Sequence, residues 1–448
     1  MLVVYNILLK VAALFVFPYY GARMLLTGKY RKGLGQRFGL LKPEIVAGMI
    51  GVHRIWVHAV SVGEVTAAAP IIASIRRRLP DACIVLSTTT ATGQEMAHGI
   101  VTGTDNFIYY PLDIPFVIRR VIDAVHPDIV VLTETELWPN FIRHCRSRGV
   151  KVIMVNGRLS PRSFRRYALT RFFWKFVLKD LDGVGVISET DARRFRFLGA
   201  PSQRVQVFGN AKYDSLAART APVIQEEMSL RLNIGSKEPV FLAGSTHEGE
   251  EKIIFGVYEN LLKTYPDCKL IIVPRHIERV RALLALARSA GFEDVITLTE
   301  ITAGRRRHDE RVIIVDVIGE LFKAYSLATV VFCGGSLVPR GGQNILEAAA
   351  WGKIIFYGPF MDDFREERDL LEGAGAGITV RNGRDLLDGL LEMMADPDAL
   401  AQRGEAGRRI VAANKGAADR YAELIADHLN PPSGAKAAEG NVPPFDPQ

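Results

Sequence analysis

The chain has 448 residues, of which 48% are hydrophobic and 23% charged, so its composition is that of an ordinary globular protein. This length is too great for one compact core, and we therefore expect two domains. The four cysteines, Cys83, Cys145, Cys268 and Cys333, form neither a CxxC pair nor a Cys/His cluster. Their spacing argues against a metal site, and this small number of cysteines in a chain without a cleavable signal favours a reducing compartment.

The net charge of +7 is unevenly distributed along the chain. Residues 1–210 carry 28 Lys/Arg and 14 Asp/Glu, a balance of +14, whereas residues 211–448 carry 28 and 35, a balance of −7. The basic front half indicates an anionic partner. Nucleic acid, a membrane surface and a phosphorylated substrate all fit this charge.

Residues 2–22 form an apolar stretch in which Lys10 is the only charged residue. About 20 helical residues span about 30 Å, the thickness of a bilayer core. Arg23, Lys29, Arg31 and Lys32 follow closely, which predicts an N-terminal membrane anchor over residues 1–25 with the rest of the chain in the cytoplasm. Lys10 and Pro18 weaken a spanning helix, so a helix lying in the membrane plane is the first alternative and a soluble core helix the second.

The rest of the chain alternates short apolar runs with amphipathic stretches. The front-half runs are IWVHAV, CIVLS, FIYYP, DIVVLT, KVIMVN and GVGVIS, and the back-half runs are PVFLAG, KLIIVP, RVIIVD, TVVFCGG and IIFYGP. Such runs are typical of parallel strands buried on both faces, and repeated β-α units build doubly wound sheets. We predict an α/β fold with two Rossmann-like domains, residues 26–210 and 236–428, facing a central cleft. Residues 211–235 would link them, and residues 429–448 would be a disordered tail.

Two front-half strands end on acidic residues. Glu64 follows the strand in VHAVSVGEV (57–65), and Glu134 and Glu136 follow DIVVL in TETELWPN (133–140). The carboxyl ends of strands in open α/β sheets bind ligands, so Glu64 is a candidate catalytic base. The simpler interpretation is that Glu64 complements a helix dipole and that the other two lie in a solvated loop.

The richest back-half segment is VVFCGGSLVPRGGQNILEAAA (330–350), in which a strand leads through two Gly pairs into a helix starting near Asn344. Glycines let the backbone approach a phosphate, and a helix start offers unpaired N–H groups. Glu347 in the first turn could accept hydrogen bonds from ribose hydroxyls. The alternative is a glycine-rich turn with a dipole-complementing Glu.

Three further back-half loops follow strands in the same way. They contain Gly244, Ser245 and Thr246 (GSTHEGEE), Pro274 and Arg275 (VPRH), and Ile318, Gly319 and Glu320 (DVIGEL). Each alone could be an ordinary helix start, with Ser245 or Thr246 and Glu248 as a capping box. Together they predict a nucleotide site at one sheet edge.

Residues 156–180 predict a basic helix interleaved with aromatic residues. Its candidate ligand-binding arginines are Arg158, Arg162, Arg165, Arg166 and Arg171. Such a helix is typical of membrane-surface binding or of docking a phosphorylated lipid. A nucleic-acid binder would share this composition, but the predicted anchor and the lack of a nucleic-acid-binding motif argue against it. A solvated helix face is the remaining alternative.

These segments, taken in order, resemble the Kdo (3-deoxy-D-manno-octulosonic acid) transferases of lipopolysaccharide synthesis. The resemblance rests on VHAVSVGEV, TETELWPN, NGRLS, GNAKYD, GSTHEGEE, VPRH, GEL, GGSLV..GG.N.LE and YGPFMDDF, and it covers roughly residues 1–425. It implies a GT-B fold, CMP-Kdo as donor, a tetraacylated lipid A precursor as acceptor and inverting transfer. It also implies a place at the cytoplasmic face of the inner membrane, and we expect neither a cofactor nor an essential metal.

The resemblance assigns roles to individual residues. It implies Glu64 as catalytic base and Glu134 and Lys212 as groups that stabilise the transition state. The implied CMP contacts are Pro274, Arg275, Ile318, Gly319, Glu320, Asn344, Ile345, Leu346 and Glu347. This chain departs from the family pattern at Gln343, Ile345 and Ala349, which replace His, Pro and Pro.

Two other functions compete with this interpretation. A nucleotide-sugar epimerase could share the fold but would need neither the anchor nor the basic helix. A non-catalytic membrane protein could use the basic segments to hold anionic lipids.

Overall fold

The computed structural model describes residues 1–27, 32–235 and 238–430. The chain divides into two compact units. Unit 1 comprises Met1–Ser215 together with the chain from Gly416 onward, and unit 2 comprises Leu216–Lys415. The division at residue 215 falls within the range assigned to the linker. The predicted tail lies almost wholly outside the described residues.

Unit 1 is built on a seven-stranded parallel sheet with the order β3-β2-β1-β4-β5-β6-β7. Its strands are β1 (Arg54–His58), β2 (Cys83–Thr88), β3 (Asn106–Tyr109), β4 (Ile129–Thr133), β5 (Lys151–Gly157), β6 (Gly183–Val186) and β7 (Val205–Val207). The helices that begin before the boundary at Ser215 are α1 (Leu2–Thr27), α2 (Leu34–Arg37), α3 (Pro43–Ala47), α4 (Val62–Arg78), α5 (Ala91–Ile100), α6 (Pro115–Val125), α7 (Pro139–Ser147), α8 (Pro161–Leu169), α9 (Arg171–Leu178), α10 (Glu189–Leu198) and α11 (Lys212–Arg219).

Unit 2 repeats this architecture with the order β10-β11-β9-β8-β12-β13-β14. Its strands are β8 (Val240–Thr246), β9 (Lys269–Pro274), β10 (Val295–Thr297), β11 (Val312–Ile314), β12 (Val330–Cys333), β13 (Ile354–Tyr357) and β14 (Gly377–Thr379). Its helices are α12 (Pro222–Leu232), α13 (Glu250–Leu261), α14 (Val280–Ser289), α15 (Leu298–Thr302), α16 (Leu321–Ala324), α17 (Leu346–Ala350), α18 (Arg365–Gly373), α19 (Gly383–Ala395) and α20 (Pro397–Ala413). Single 3-10 turns occur at Ser202–Arg204, Ile277–Arg279, Tyr325–Leu327 and Asp362–Phe364.

The sheets are buried on both faces, as their continuous apolar runs predict. In β1, Trp56 belongs to the apolar cluster on one face, whereas Ile55 and Val57 belong to the cluster on the other. All three side chains are buried, because helices cover both sides of a parallel sheet. The predicted α/β fold with two Rossmann-like units is confirmed.

The last helix, α21 (Ala417–Leu429), belongs to unit 1, whereas the predicted second domain ran to residue 428. The buried side chains of Tyr421 and Ile425 join the apolar cluster that also contains the core-facing side of α4. The Asp214 carboxylate accepts hydrogen bonds from the Gly416 and Ala418 amides at 2.6 and 3.0 Å, which caps the helix start. Amphipathic spacing alone does not say which sheet a helix covers.

The predicted anchor segment forms one long helix, α1. No helix within residues 1–27, 32–235 and 238–430 combines the length and the hydropathy that crossing a bilayer requires.

Candidate active site

The acidic residues predicted in unit 1 lie at the switch point of its sheet. β1 and β4 are neighbours in the centre of the sheet, with the chain moving outward from them in opposite directions. Glu64 follows β1 on the first turn of α4, and Glu134 directly follows β4. The carboxyl ends of such neighbouring strands form the ligand crevice of doubly wound sheets. The fold thus brings both candidate carboxylates to one edge.

Glu64 is a buried carboxyl group, with 8% of its surface exposed. Its Oε2 accepts a hydrogen bond from the Val60 amide at 2.8 Å, and its Oε1 accepts one from the Ser61 hydroxyl at 3.3 Å. Burial raises the pKa of Glu64 to about 8, and the negative charges of Glu136 and Glu134 add to the rise. A carboxyl group with this pKa can exchange a proton near neutral pH, as a general base must.

Glu134 and Lys212 form an ion pair beside this group. The Lys212 Nζ lies 2.9 Å from Glu134 Oε1, and each side chain is 26% exposed. The Glu134 backbone adopts φ 59°, a left-handed conformation that is uncommon for a non-glycine residue and that clusters at active sites. Lys212 opens α11, which Asn156 holds in place because its side-chain oxygen accepts from the Ala211 amide at 2.9 Å. The structure therefore joins two residues that lie 78 positions apart.

Glu136 is a third carboxylate at this edge, noted in the sequence but assigned no role there. The Trp138 indole donates to its Oε2 at 3.1 Å, and burial raises its pKa, with a further rise from the Glu134 charge. Asn156 also went unpredicted, although an Asn-Gly pair at the end of an apolar strand signals irregular backbone. Its φ of 53° places it, like Glu134, in the left-handed region.

The predicted nucleotide-binding segments of unit 2 also meet at a switch point, between β8 and β12. The Gly334 amide donates to the Gly244 carbonyl at 2.8 Å, and a side chain at Gly244 would overlap the Tyr325 hydroxyl. Ser245 has φ 53°. The Thr246 hydroxyl is buried and has no hydrogen-bond partner among the residues the structure describes. Gly244 and Gly334 therefore allow the loops after β8 and β12 to approach each other closely.

Glu250 holds these loops together, a role that the sequence did not indicate; the capping-box alternative had named Glu248 instead. The buried Glu250 carboxylate accepts from the Gly335, Ser336 and Leu337 amides at 2.7, 3.0 and 2.9 Å, and from the His247 amide at 2.9 Å. One side chain therefore satisfies four backbone donors that would otherwise be buried and unpaired. Glu248 is exposed.

We expect Glu250→Gln to destabilise unit 2 by about 2–4 kcal/mol, because the amide nitrogen faces backbone donors and loses charged hydrogen bonds. Thermal unfolding would report this as a lower Tm, and steady-state kinetics as a higher KM for the nucleotide donor. Glu248→Gln is the matched control and should change neither value. Equal Tm values for both variants would contradict the fastening role.

The other residues predicted to contact the nucleotide donor differ in their exposure and in their contacts. Pro274 is buried at the end of β9, and the exposed Arg275 donates its amide to the Thr246 carbonyl at 3.0 Å. Ile318 is 78% exposed and Gly319 has φ 91°. Glu320 pairs with Arg231 at 3.3 Å and Lys323 at 3.0 Å. The carboxylate of Glu320 is thus already engaged by two cations.

Helix α17 begins at Leu346, two residues later than predicted, and is only five residues long. The Asn344 side-chain oxygen accepts from the Leu346 amide at 3.1 Å, and its nitrogen donates to Glu347 Oε1 at 3.3 Å. The side chains of Ile345 and Leu346 are buried. Any contact from these two residues to a donor would therefore come from their main chain. Burial raises the pKa of Glu347, and the nearby charge of Arg219 opposes this rise.

The predicted basic helix is two helices, α8 and α9, which meet at Thr170. Arg162, Arg165 and Arg166 are exposed on α8, and Arg171 lies over the Phe197 ring at 4.6 Å. Most of the interleaved aromatic side chains pack against the core, and these are Phe164, Tyr167, Phe173, Trp174 and Phe176. Phe172 instead is 64% exposed. The aromatic residues therefore serve mainly to pack α8 and α9 against the core of unit 1, and this packing fixes the position of the arginines.

Arg158 precedes α8 and is partly exposed, and its carbonyl accepts a hydrogen bond from the Thr135 hydroxyl. This bond ties the arginine segment to the loop that carries Glu134. No group of three or more His, Cys, Asp or Glu side chains in the described part of the chain is arranged to hold a metal ion. The expected lack of a metal requirement stays a prediction.

Comparison with known proteins identifies the family. The profile described as 3-Deoxy-D-manno-octulosonic-acid transferase (kdotransferase) matches residues 32–215. The chain is 30% identical over 426 residues to the 3-deoxy-D-manno-octulosonic acid transferase of Haemophilus influenzae, covering 95% of this chain and 98% of that protein.

Solved structures share the fold at low identity. The UDP-GlcNAc 2-epimerase of Neisseria meningitidis, at 15% identity, aligns with a TM-score of 0.57 over 84% of this chain and 99% of its own. A glycosyltransferase from Rickettsia africae, at 14% identity, aligns with the same score over 85% and 99%. At this identity the likeness concerns the GT-B fold alone. By its sequence match along nearly the whole length of the Haemophilus enzyme, the chain belongs to the 3-deoxy-D-manno-octulosonic acid (Kdo) transferase family of glycosyltransferases.

Proposed function

We propose that this protein transfers Kdo from CMP-Kdo to a hydroxyl group of a tetraacylated lipid A precursor, with inversion at the anomeric carbon and without a metal. Family membership supports the transfer of Kdo. The observation that carries the mechanism is the buried Glu64 carboxyl group beside the Glu134–Lys212 ion pair.

Glu64 serves as the general base. As the acceptor oxygen attacks the anomeric carbon, its proton passes to the Glu64 carboxylate and the new glycosidic bond forms. The bond from the anomeric carbon to the phosphate oxygen breaks, and its electron pair leaves with CMP. The raised pKa of Glu64 supports this role, because proton transfer is most effective when the pKa lies near the working pH.

Lys212 and Glu134 act on the charge of the sugar. Kdo carries its own carboxylate, and the Lys212 ammonium is a suitable counter-charge at the switch point of unit 1. Glu134 fixes that ammonium at 2.9 Å and can stabilise positive charge that develops on the sugar ring. In unit 2, Arg275 and the main-chain amides near Asn344 would hold the CMP phosphate.

The arginines of α8 and α9 would bind the anionic acceptor, and α1 with these helices would hold the enzyme at the cytoplasmic face of the inner membrane. Arg162, Arg165 and Arg166 support this proposal because all three are exposed on one short helix. Phosphate groups and anionic lipids are the ligands that such a cluster attracts. No nucleic acid is required.

Replacing Arg165, Arg166 and Arg171 together by Ser is expected to raise the acceptor KM by about 10²-fold, since each charge near an anionic surface contributes about 1 kcal/mol. Serine substitutions at the exposed Arg281, Arg288 and Arg306 of unit 2 change the net charge equally and are the matched control. If both triple variants change the acceptor KM by the same factor, the change results from the altered net charge of the protein, and the docking proposal is wrong.

The proposed reaction is tested by incubating the protein with CMP-Kdo and the tetraacylated lipid A precursor. The expected result is release of CMP together with a mass gain on the lipid equal to one or more Kdo residues. CMP release without a mass gain would indicate hydrolysis of the donor. The absence of both CMP release and a mass gain would refute transfer. The epimerase alternative rests on shared fold at 15% identity and would instead convert a UDP-sugar with no lipid present.

A further inference from the structure

Helix α1 has two distinct faces along its first four turns. The side chains of one face are partly buried against unit 1, and these are Leu2, Tyr5, Asn6, Leu9 and Ala13. This spacing is that of one side of an α-helix. A helix that merely trailed from the domain would bury no such stripe, so α1 is docked on unit 1.

Two polar side chains hold the docked face. The Tyr5 hydroxyl donates to Asp113 Oδ2 at 2.9 Å, and the Asn140 side-chain nitrogen donates to Asn6 Oδ1 at 2.7 Å. Asp113 is 4% exposed and also accepts from the Asn140 and Phe141 amides at 3.1 and 2.8 Å. A carboxylate buried to this degree is costly unless its hydrogen bonds are made. We call Tyr5, Asn6, Asp113 and Asn140 the latch.

The chain after α1 returns to the same part of unit 1. The Tyr109 amide donates to the Gln36 side-chain oxygen at 2.7 Å, and the Leu112 amide donates to the Arg37 carbonyl at 2.9 Å. Residues 109–113 therefore contact both the start of α1, through Tyr5, and the segment that follows it. A helix crossing a bilayer would place these two contacts on opposite sides of about 30 Å of hydrocarbon.

The opposite face of α1 is apolar and exposed. Its side chains are between 49% and 73% exposed, and they are Val3, Val4, Ile7, Leu8, Val11, Leu14 and Phe15. A contiguous apolar stripe of this kind marks an interaction surface. Arg119 and Arg143 line a shallow surface pocket together with Leu2 and Asn6. Apolar side chains bordered by arginines match the acyl chains and headgroups of an anionic membrane.

We propose that α1 is an in-plane element of unit 1, held by the latch, that inserts its apolar stripe into one leaflet of an anionic bilayer. The latch keeps Tyr5 and Asn6 on the protein side, since a spanning orientation would remove the Tyr5 bond from Asp113 and carry Asn6 into hydrocarbon. This inference rests on the proposed membrane association and specifies its geometry. The latch also braces the start of α7, which follows the loop that carries Glu134 and Glu136.

The test joins the two halves of the latch in the membrane-bound, full-length protein. Asn6→Cys with Asn140→Cys is bound to vesicles of phosphatidylethanolamine and phosphatidylglycerol and treated with a short thiol cross-linker. The four native cysteines are buried and should not compete. We expect about tenfold more intramolecular cross-link than for Val4→Cys with Asn140→Cys, whose first cysteine lies on the opposite face. Cross-linking in detergent but not on vesicles would overturn the in-plane geometry.

A second measurement does not depend on altering the latch. A cysteine added before Met1 is expected to react with a membrane-impermeant maleimide from the side on which the globular units lie. Labelling only after detergent is added would show a spanning helix. Flotation of the unaltered protein with the same vesicles checks the membrane association on which the inference rests. Flotation without cross-linking rejects the latch geometry, and absence of flotation rejects the membrane association itself.

Discussion

Replacing Glu64 by Gln is expected to lower kcat/KM for Kdo transfer by about 10²–10⁴-fold, because the amide cannot accept the proton of the attacking hydroxyl group. CMP-Kdo should still bind with nearly unchanged affinity, since the proposed CMP contacts lie in unit 2. The measurement is steady-state transfer to the lipid acceptor, paired with calorimetric titration of CMP-Kdo. Activity within a few-fold of the unaltered enzyme would make Glu64 a structural residue.

The fold should tolerate this change. A Gln oxygen can still accept a hydrogen bond from the Val60 amide, which now donates to Glu64 Oε2 at 2.8 Å.

The substitution should also change how stability depends on pH. The pKa of Glu64 is about 8 in the folded protein and 4.5 when exposed, so between these two pH values the folded protein binds a proton that the unfolded chain does not. The stabilisation that the Glu64 carboxyl group contributes is therefore complete below its pKa in the unfolded chain, and it is lost as the pH rises toward 8. We expect Glu64→Gln to equal or exceed the unaltered Tm at about pH 8. Glu189→Gln, on the exposed first turn of α10, is the control and should change neither activity nor Tm.

Replacing Lys212 by Met should reduce transfer by about 10²–10³-fold, as loss of one preorganised group that stabilises charge usually does. The change also leaves Glu134, Glu136 and Glu64 as neighbouring carboxylates without their cation. Their repulsion should push the pKa of Glu64 still higher. Transfer rates measured across a pH series would show both a lower maximum and a shift of the profile to higher pH.

The ion pair provides a way to separate charge from structure. Adding Glu134→Gln to Lys212→Met removes the unpaired carboxylate and should restore Tm without restoring the rate. Lys212→Arg keeps the charge and should retain part of the activity. If the double variant regains transfer, Lys212 acts only by neutralising Glu134, and its proposed contact with the donor carboxylate is wrong.

Burial pattern determined which strands could be predicted from the sequence. All eleven predicted strands are present, and ten of them are buried runs; the exception is the edge strand β3, in which one of four residues is buried. The three unpredicted ones, β7, β10 and β14, have three residues each and lie at sheet edges. An edge strand has one hydrogen-bonded neighbour and exposes part of its surface, so its sequence lacks a continuous apolar run. The Val205–Val207 strand, with two of its residues exposed, is an example.

The candidate site was predictable where a residue follows a strand and less so where distant segments meet. Glu64 and Glu134 were placed by the strands before them, whereas Lys212 entered through the family resemblance and its pairing with Glu134 is a long-range contact. The role of Glu250 was not predicted, because its bonds with the amides of Gly335 to Leu337 are long-range, whereas the capping box suggested for Glu248 is a local motif. Tyr5 is bound by Asp113, 108 positions away, and no local pattern encodes that contact.

The pH dependence of kcat/KM tests the central claim, that buried Glu64 is the base, most directly. This parameter reports the ionisation of the free enzyme. Because Glu64 must be deprotonated to accept a proton, the rate should rise with pH and reach half its plateau near the pKa of about 8. Glu64→Gln should lack this rise. A profile that is flat between about pH 6 and 9, or one whose rise has the midpoint of an exposed carboxyl near 4.5, would contradict the assignment of Glu64 as the base.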